Sequence, residues 1–481
     1  MPTLLTKSRY MTGLTCPRCL WLMVNDPESM PTVDEATQRR MDEGTTIGIL
    51  AQKLYPDGAA VPQEDFGINL CMTKQMLASR RPLFEAAFAH GRCYARADIL
   101  VPGEEDTWDI VEVKSSTRVK DEHIEDVAFQ KYCYQGAGLR IARCYIMHLN
   151  SAYIKDGDID PKSLFTTTDV TEKADKVCDI GKRVDTMLAI IDQSDAPTIT
   201  IGLGPGQCST IHSCCEVGEG SVFELHRAGE LAFRLYAQGH RMITDIPEDT
   251  TLSQAQRVQR DAARTGKTHI DKEKIGAFIK GLRYPLHFLD FETFQTAIPL
   301  LDATRPYQQI PFQYSLHVQE ELGGIITHHS YLASTADPRE EFIRRLQEDV
   351  TDLGSIIVYN AAFERGIINA LINTDKLQRW AEDVSARIID LHTPFRTFIA
   401  YSPAQHGSTS LKAVLPAFTG AGYDDMEITD GSQAASTYVS MITGATPSEQ
   451  HPGLREALEA YCALDTEAMI LLLDALRDLS A

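Results

Sequence analysis

From Tyr284 onward, apolar runs of strand length alternate with longer stretches whose apolar residues recur at helical spacing. The runs are Leu-His-Phe-Leu-Asp-Phe at 286–291, Ser-Ile-Ile-Val-Tyr at 355–359 and Arg-Ile-Ile-Asp-Leu at 387–391. This alternation predicts an α/β layer structure, because helices laid on a sheet hide both apolar sets at once. The chain before it is organised differently. Residues 1–222 begin with helix-like patterns, pass through alternating strands near Ala95–Val101 and Trp108–Lys114, and end in a Gly- and Cys-rich segment at 202–220. Residues 223–283 read as a helical, partly basic linker to the third stretch, 284–481. At 481 residues the chain exceeds one ordinary core, and roughly 100 to 200 residues per domain predicts two or three domains.

Hydrophobic residues at 43% and charged residues at 23% exclude a disordered or fibrous chain. The opening residues hold no apolar run of signal-peptide length, and no stretch of about 18 apolar residues is present to span a bilayer. A cytoplasmic protein with no membrane partner is expected. Eleven cysteines, odd in number and unevenly placed, argue against a disulfide framework and leave thiols or metal ligands. The net charge of -21 disfavours a broad phosphate-binding surface, so any nucleic-acid groove must be local. Clustered carboxylates holding divalent cations account for part of that negative balance, and a bound cation reverses the local field.

Asp290 and Glu292 stand two apart in Leu-Asp-Phe-Glu, so on a strand both carboxylates share one face while Leu289 and Phe291 pack on the other. Two inward carboxylates require a compensating cation. Val-Tyr-Asn-Ala-Ala-Phe-Glu at 358–364 reads as a strand entering a helix, with Asn360 at the N-cap and Glu364 one turn in. Asp390 ends a third strand, either as an auxiliary ligand or as a strand-end residue. Tyr461 and Asp465 lie at i and i+4 on one helix face. Asp424, Asp425 and Glu427 read as a solvated acidic loop. Two Mg²⁺ or Mn²⁺ ions held by such a carboxylate set cleave phosphodiesters by activating a water and stabilising the leaving oxygen, with a tyrosine to position that water. In this order the motifs resemble the DEDD superfamily of 3′–5′ exonucleases, tyrosine subclass, over about 200 residues. The resemblance implies a ribonuclease H-like fold and a catalytic set of Asp290, Glu292, Glu364, Tyr461 and Asp465, with Asn360 beside the substrate. Glu364 departs from the aspartate usual at the second motif by one methylene.

A second constellation precedes it. Asp98 lies on one strand of an apparent hairpin, and Glu112 and Lys114 share a face of the other, so the two carboxylates suit a metal and the lysine suits transition-state charge. Gln130 and Tyr134 follow at i and i+4 of a helix. Together these are similar to the RecB-type branch of the PD-(D/E)XK nucleases, which implies a restriction-endonuclease-like fold with Gln130 and Tyr134 on the substrate side. That branch often takes an upstream histidine ligand; this sequence has none near 43–51, where Glu43 is the substitute considered.

Cys16 and Cys19 lie at one end of the same module and Cys208, Cys214 and Cys215 at the other. Some RecB-type nucleases bind a four-iron four-sulfur cluster with one N-terminal and three C-terminal cysteines, so the resemblance implies such a cluster here. Zinc with His212, or buried thiols, are the alternatives. Cys71, Cys93, Cys133, Cys144, Cys178 and Cys462 have apolar neighbours and are expected in cores. Arg257, Arg260 and Arg264 recur at helical spacing, as either a stripe along a phosphate backbone or a solvated face. The aromatic segment at 305–315 offers either a base-stacking surface or a packed edge strand. Over its whole length the chain resembles a bacterial family of unknown function that fuses a RecB-type module to a DEDD exonuclease-like domain. That resemblance implies a metal-dependent nuclease acting on DNA or RNA. The competing reading is a protein in which one or both modules are catalytically silent and only bind nucleic acid or a partner.

Overall fold

Two sheets organise this mixed α/β chain, and its contacts divide it into two units. The computed structural model describes residues 3–62, 65–203, 208, 210–215, 217–372, 374–424 and 426–480. Unit one comprises residues 1–218 and 296–307; unit two comprises residues 219–295 and 308–481. Among the described residues no helix is long and apolar enough to cross a membrane.

Unit one is built on β1 (Leu5–Thr6), β2 (Ala59–Ala60), β3 (Leu83–His90), β4 (Cys93–Pro102), β5 (Trp108–Lys114), β6 (Ile141–Leu149) and β7 (Phe165–Asp169). Their order is β2-β3-β4-β5-β6-β7, with β1 beside β4. β4 and β5 form the expected hairpin, Ile99 opposite Val111. β5 and β6 run parallel, which requires a crossover, and the Asp121–Gly136 helix provides it. Asp121 and Glu122 in its first turn suit the helix dipole. Its Ile124, Val127, Phe129 and Cys133 are buried in the unit's main core, where Phe129 stacks on Tyr10 with ring centroids 4.3 Å apart.

Unit two contains β8 (His269–Ile270), β9 (Leu286–Phe294), β10 (Ile310–Gln319), β11 (Ile326–Leu332), β12 (Ser355–Val358), β13 (Ile388–Asp390) and β14 (Ala400–Tyr401). Five of these form a sheet of order β11-β10-β9-β12-β13. β9, β10 and β11 pair antiparallel, while β9, β12 and β13 pair parallel. Leu289 and Phe291 sink into the core on one face with Phe342, Leu346 and Ile367, as the strand alternation predicts. Each such side chain contributes about 1.5–3 kcal/mol through burial. The His451–Ser480 helix docks on the sheet through Gln313 Nε2, which donates to the Leu458 carbonyl at 2.8 Å, and through a Ser315–Thr466 hydroxyl pair at 2.7 Å.

Residues 223–283 belong to unit two. Val222, Leu225, Leu235, Ile243 and Ile246 form a small core of their own, Ala262 packs on Phe398 and Tyr401, and β8 pairs with β14. A segment with that much buried apolar surface is a folded part of the unit, and its mixed helical pattern gave no sign of it. Residues 310–315 form neither a stacking surface nor an edge strand. Phe312 and Tyr314 are fully buried, β10 is flanked on both sides, and Pro311 is tolerated because it sits at a break in register.

Candidate functional site

The carboxyl ends of three parallel strands meet on one edge of the unit-two sheet. β12 pairs with β9 only as far as Phe288, so Asp290 and Glu292 extend past its last partner. The chain leaves β12 at Val358 and enters the Ala361–Ala370 helix, which carries Glu364 in its first turn. β13 ends at Asp390. Such a crevice beyond the carboxyl ends of parallel strands is where open α/β sheets bind ligands. The final helix crosses it and supplies Tyr461 and Asp465 from one face.

Asp290, Glu292 and Asp465 each offer an oxygen within 4.8 Å of the others. Among the described residues none of the three makes an ion pair. Burial, reinforced by Asp465, Glu292 and Glu364, holds the Asp290 carboxyl well above the usual carboxylate range. Burial and the Asp465 charge push Glu292 up to about 8. Asp465 rises to about 6 because burial outweighs the hydrogen bond it accepts from Tyr423 and the charge of Lys412. Glu364 stands outside the close triad but acts on Asp290 electrostatically. Burial first, then Asp390, raises it to about 8, and its buried Oε2 has no hydrogen-bond partner. Four enclosed carboxyls deficient in positive charge, one with an orphaned oxygen, fit a divalent metal site.

Three neighbours were not legible in the sequence. Tyr423 donates its hydroxyl to Asp465 Oδ1 at 2.5 Å, although it borders a loop whose Asp424 and Glu427 are exposed, as expected; Asp425 lies outside the described residues. Lys412 places its Nζ 5.0 Å from the Tyr461 ring centroid and 5.5 Å from that of Tyr423. Cys462, expected as core and buried, also brings its Sγ to 3.7 Å from Asp290 Oδ2. Asn360 occupies the N-cap position, yet its side chain is exposed and makes no cap hydrogen bond. Asp390 accepts the His392 backbone N–H at 3.0 Å, the work of a strand-end residue.

In unit one, Asp98 accepts the Val113 N–H at 2.7 Å and is raised to about 7 by burial and by Glu112. Glu112 is 1% exposed and already saturated: its Oε1 accepts Lys7 and Lys114, each at 2.7 Å, and its Oε2 accepts Gln130 at 2.7 Å. Burial opposes its ionisation, but Lys114 and Lys7 overcome that and hold it well below the ordinary range. Asp126 completes the network by accepting Lys114 at 2.5 Å and Gln130 at 3.0 Å. Lys7 was missed because it stands 105 positions from Glu112, and Asp126, one helical turn before Gln130, was passed over. A cavity of about 650 Å³ lined by Lys7, Glu85, Arg96 and Asp98 opens beside this network. Glu43 is half-buried and hydrogen-bonds the Ala297 backbone.

Several expectations are corrected by burial. Tyr134 is fully buried and donates its hydroxyl to the Ala86 carbonyl at 3.0 Å, so it braces the helix on the sheet and faces no substrate. Arg260 is 3% exposed and bonds the Pro247 carbonyl, Glu248 and Asp261. Arg264 bonds the Thr244 and Ile246 carbonyls and Glu248. Of the proposed stripe only Arg257 is exposed without such intramolecular duty on display. Arg260→Ala is expected to destabilise the protein by about 1–3 kcal/mol, through lost packing and a stranded carbonyl, and to leave nucleic-acid affinity within about twofold. Denaturant unfolding and filter binding measure the two effects. Cys71 and Cys178 are exposed rather than core, while Cys93, Cys133 and Cys144 are buried.

Residues 287–410 match the family described as a domain of unknown function, DUF2779, a span that includes Asp290, Glu292, Glu364 and Asp390. "Uncharacterized protein MG366 homolog" of Mycoplasma pneumoniae is 24% identical over 204 residues, covering 38% of this chain and 31% of that protein. The chain thus spans about a third of that relative's length. Among solved structures, "Crystal structure of SSO0001" aligns at 10% identity with a TM-score of 0.22, covering 41% of this chain and 80% of that one. A score that low carries no argument about the fold.

Proposed function

We propose that the chain is a metal-dependent nuclease that hydrolyses phosphodiester bonds of DNA or RNA, with its active site at the unit-two carboxylates. The observation that carries the reading is the triad of Asp290, Glu292 and Asp465, within 4.8 Å of one another and, among the described residues, without an ion-pair partner, at the carboxyl end of the central strand. The sheet order, three antiparallel strands followed by two parallel ones, supports a ribonuclease H-like domain. The hairpin, crossover helix and Glu112–Lys114 pair support a RecB-type PD-(D/E)XK module in unit one.

Asp290, Glu292 and Asp465 would hold Mg²⁺ or Mn²⁺, with Glu364 as the further carboxylate. When bound, the metal supplies Lewis-acid polarisation of the phosphate and a more acidic water. Tyr423 fixes the Asp465 carboxylate by a hydrogen bond, and the Tyr461 hydroxyl is the group suited to orient a water. Lys412 supplies positive charge against the phosphate in a chain that is otherwise strongly acidic.

A second reading applies to unit one alone. Two ammonium groups and one amide already satisfy Glu112, which favours a module that grips nucleic acid or a partner without cutting. Incubation of the purified chain with end-labelled single- and double-stranded DNA and RNA, with Mg²⁺, Mn²⁺ or chelator, tests the proposal. Stepwise shortening from the 3′ end with metal, and none with chelator, is the expected result. Intact substrates under every condition overturn it.

A further inference from the structure

Cys16, Cys19, Cys214 and Leu22 are buried together in unit one, with Cys208, Cys215, Trp21 and Met30 packed against them. We propose that Cys16, Cys19, Cys208 and Cys214 bind a single zinc ion that closes unit one by joining its first helices to Cys208 and the Ile211–Cys215 helix. The Sγ atoms of Cys16, Cys19 and Cys208 lie within 4.8 Å of one another, and Cys19 and Cys208 approach to 3.4 Å. A tetrahedral ion with Zn–S bonds of about 2.3 Å sets its sulfurs about 3.8 Å apart. A four-iron four-sulfur cluster places each thiolate on a different iron at a separate corner, which requires a wider opening than this one. The three gathered sulfurs therefore fit one ion and not the cluster that the sequence resemblance implies.

Local structure positions the sulfurs. Cys16 is the N-cap of the Pro17–Asn25 helix, and its Sγ accepts the Cys19 backbone N–H at 3.3 Å, which ties the two cysteines into one turn. Pro17 at the first helical position fixes that turn. The Thr210 hydroxyl lies 3.3 Å from Cys214 Sγ, 3.4 Å from Cys208 Sγ and 3.8 Å from Cys19 Sγ, so Cys214, which stands outside the close group of three, is a fourth sulfur one hydroxyl away from it. Arg18 locks the two chain segments by donating to the Cys214 and Pro197 carbonyls, each at 3.2 Å. Cys215 is adjacent to Cys214 in a helical turn, where successive side chains diverge by about 100°, and it packs at the edge of the group. His212 is exposed and outside the group. Four protein ligands leave no open position, which makes the site structural rather than catalytic.

Elemental analysis of the full chain, purified under reducing conditions, tests the assignment. One zinc per chain without stoichiometric iron or acid-labile sulfide is expected, and exchange for Co²⁺ is expected to produce the visible bands of a tetrahedral tetrathiolate site. Both measurements use the unaltered protein. Cys208→Ser is expected to lose the ion, while Cys71→Ser, at an exposed cysteine, retains it. Iron and sulfide at about four each per chain would overturn the proposal. So would a chain that retains no metal after zinc is supplied and whose eleven thiols all titrate freely.

Discussion

Conversion of Asp290 to Asn together with Glu292 to Gln is expected to have opposite effects on activity and stability. Metal-dependent nucleotide release falls at least about a hundredfold, roughly the cost of losing a transition-state electrostatic partner, while the metal-free protein melts at a higher temperature. The activity loss follows because these two carboxylates supply two of the three oxygens gathered within 4.8 Å. The stability gain follows from the same enclosure. Burial and mutual repulsion force the metal-free native state to keep protons that the unfolded chain has released near pH 4, and the amides keep the shape without that cost. For a domain of roughly 150–250 residues each kcal/mol recovered raises the melting temperature by about 2–4 °C. Lys114→Ala separates the two modules. Nucleotide release that survives the double amide variant but is lost with Lys114→Ala assigns the chemistry to unit one. A double variant that is inactive and also less stable shows that Asp290 and Glu292 hold the fold rather than a cation.

The sequence made one class of information readable and concealed another. Strand alternation placed Asp290 and Glu292 on one face and Leu289 and Phe291 on the other, because a period of two is a property of the backbone. Likewise i and i+4 spacing put Tyr461 and Asp465 on one helix face. The hairpin of β4 and β5 was legible for the same reason. Contacts between residues distant in sequence were not. Lys7 reaches Glu112 across 105 positions, and Tyr423 reaches Asp465 across 42. Charge patterns misled where burial decides: Arg260 repeats at solvent-face spacing but spends its guanidinium on the Pro247 carbonyl and Glu248. The spacing of Gln130 and Tyr134 suggested one shared role, yet Gln130 joins the Glu112 network and Tyr134 holds a strand carbonyl.

In the absence of metal, stability is expected to fall as pH rises from about 4 to about 8, and Mn²⁺ is expected to reverse that trend. Glu292 and Glu364 are both raised to about 8, and Asp465 to about 6. The same groups in an unfolded chain release their protons near pH 4. Between those limits the native state holds protons that the unfolded chain has already lost, so each rise in pH favours unfolding, by up to about 1.4 kcal/mol per unit for each group. A divalent cation binds the ionised carboxylates and competes with protons, so it stabilises the protein more at pH 8 than at pH 5. At a hundredfold excess over its dissociation constant a ligand contributes about 2.7 kcal/mol. The net charge of -21 also favours unfolding at higher pH by general repulsion, and the double amide variant isolates the site from that background. Thermal melts in chelator and in Mn²⁺ at pH 5 and pH 8, on both proteins, give the comparison. The unaltered chain should lose more stability between the two pH values than the variant does, and should gain most from Mn²⁺ at pH 8. Equal slopes for the two proteins, with equal Mn²⁺ gains at both pH values, would mean that the enclosed carboxylates neither hold protons nor exchange them for a cation.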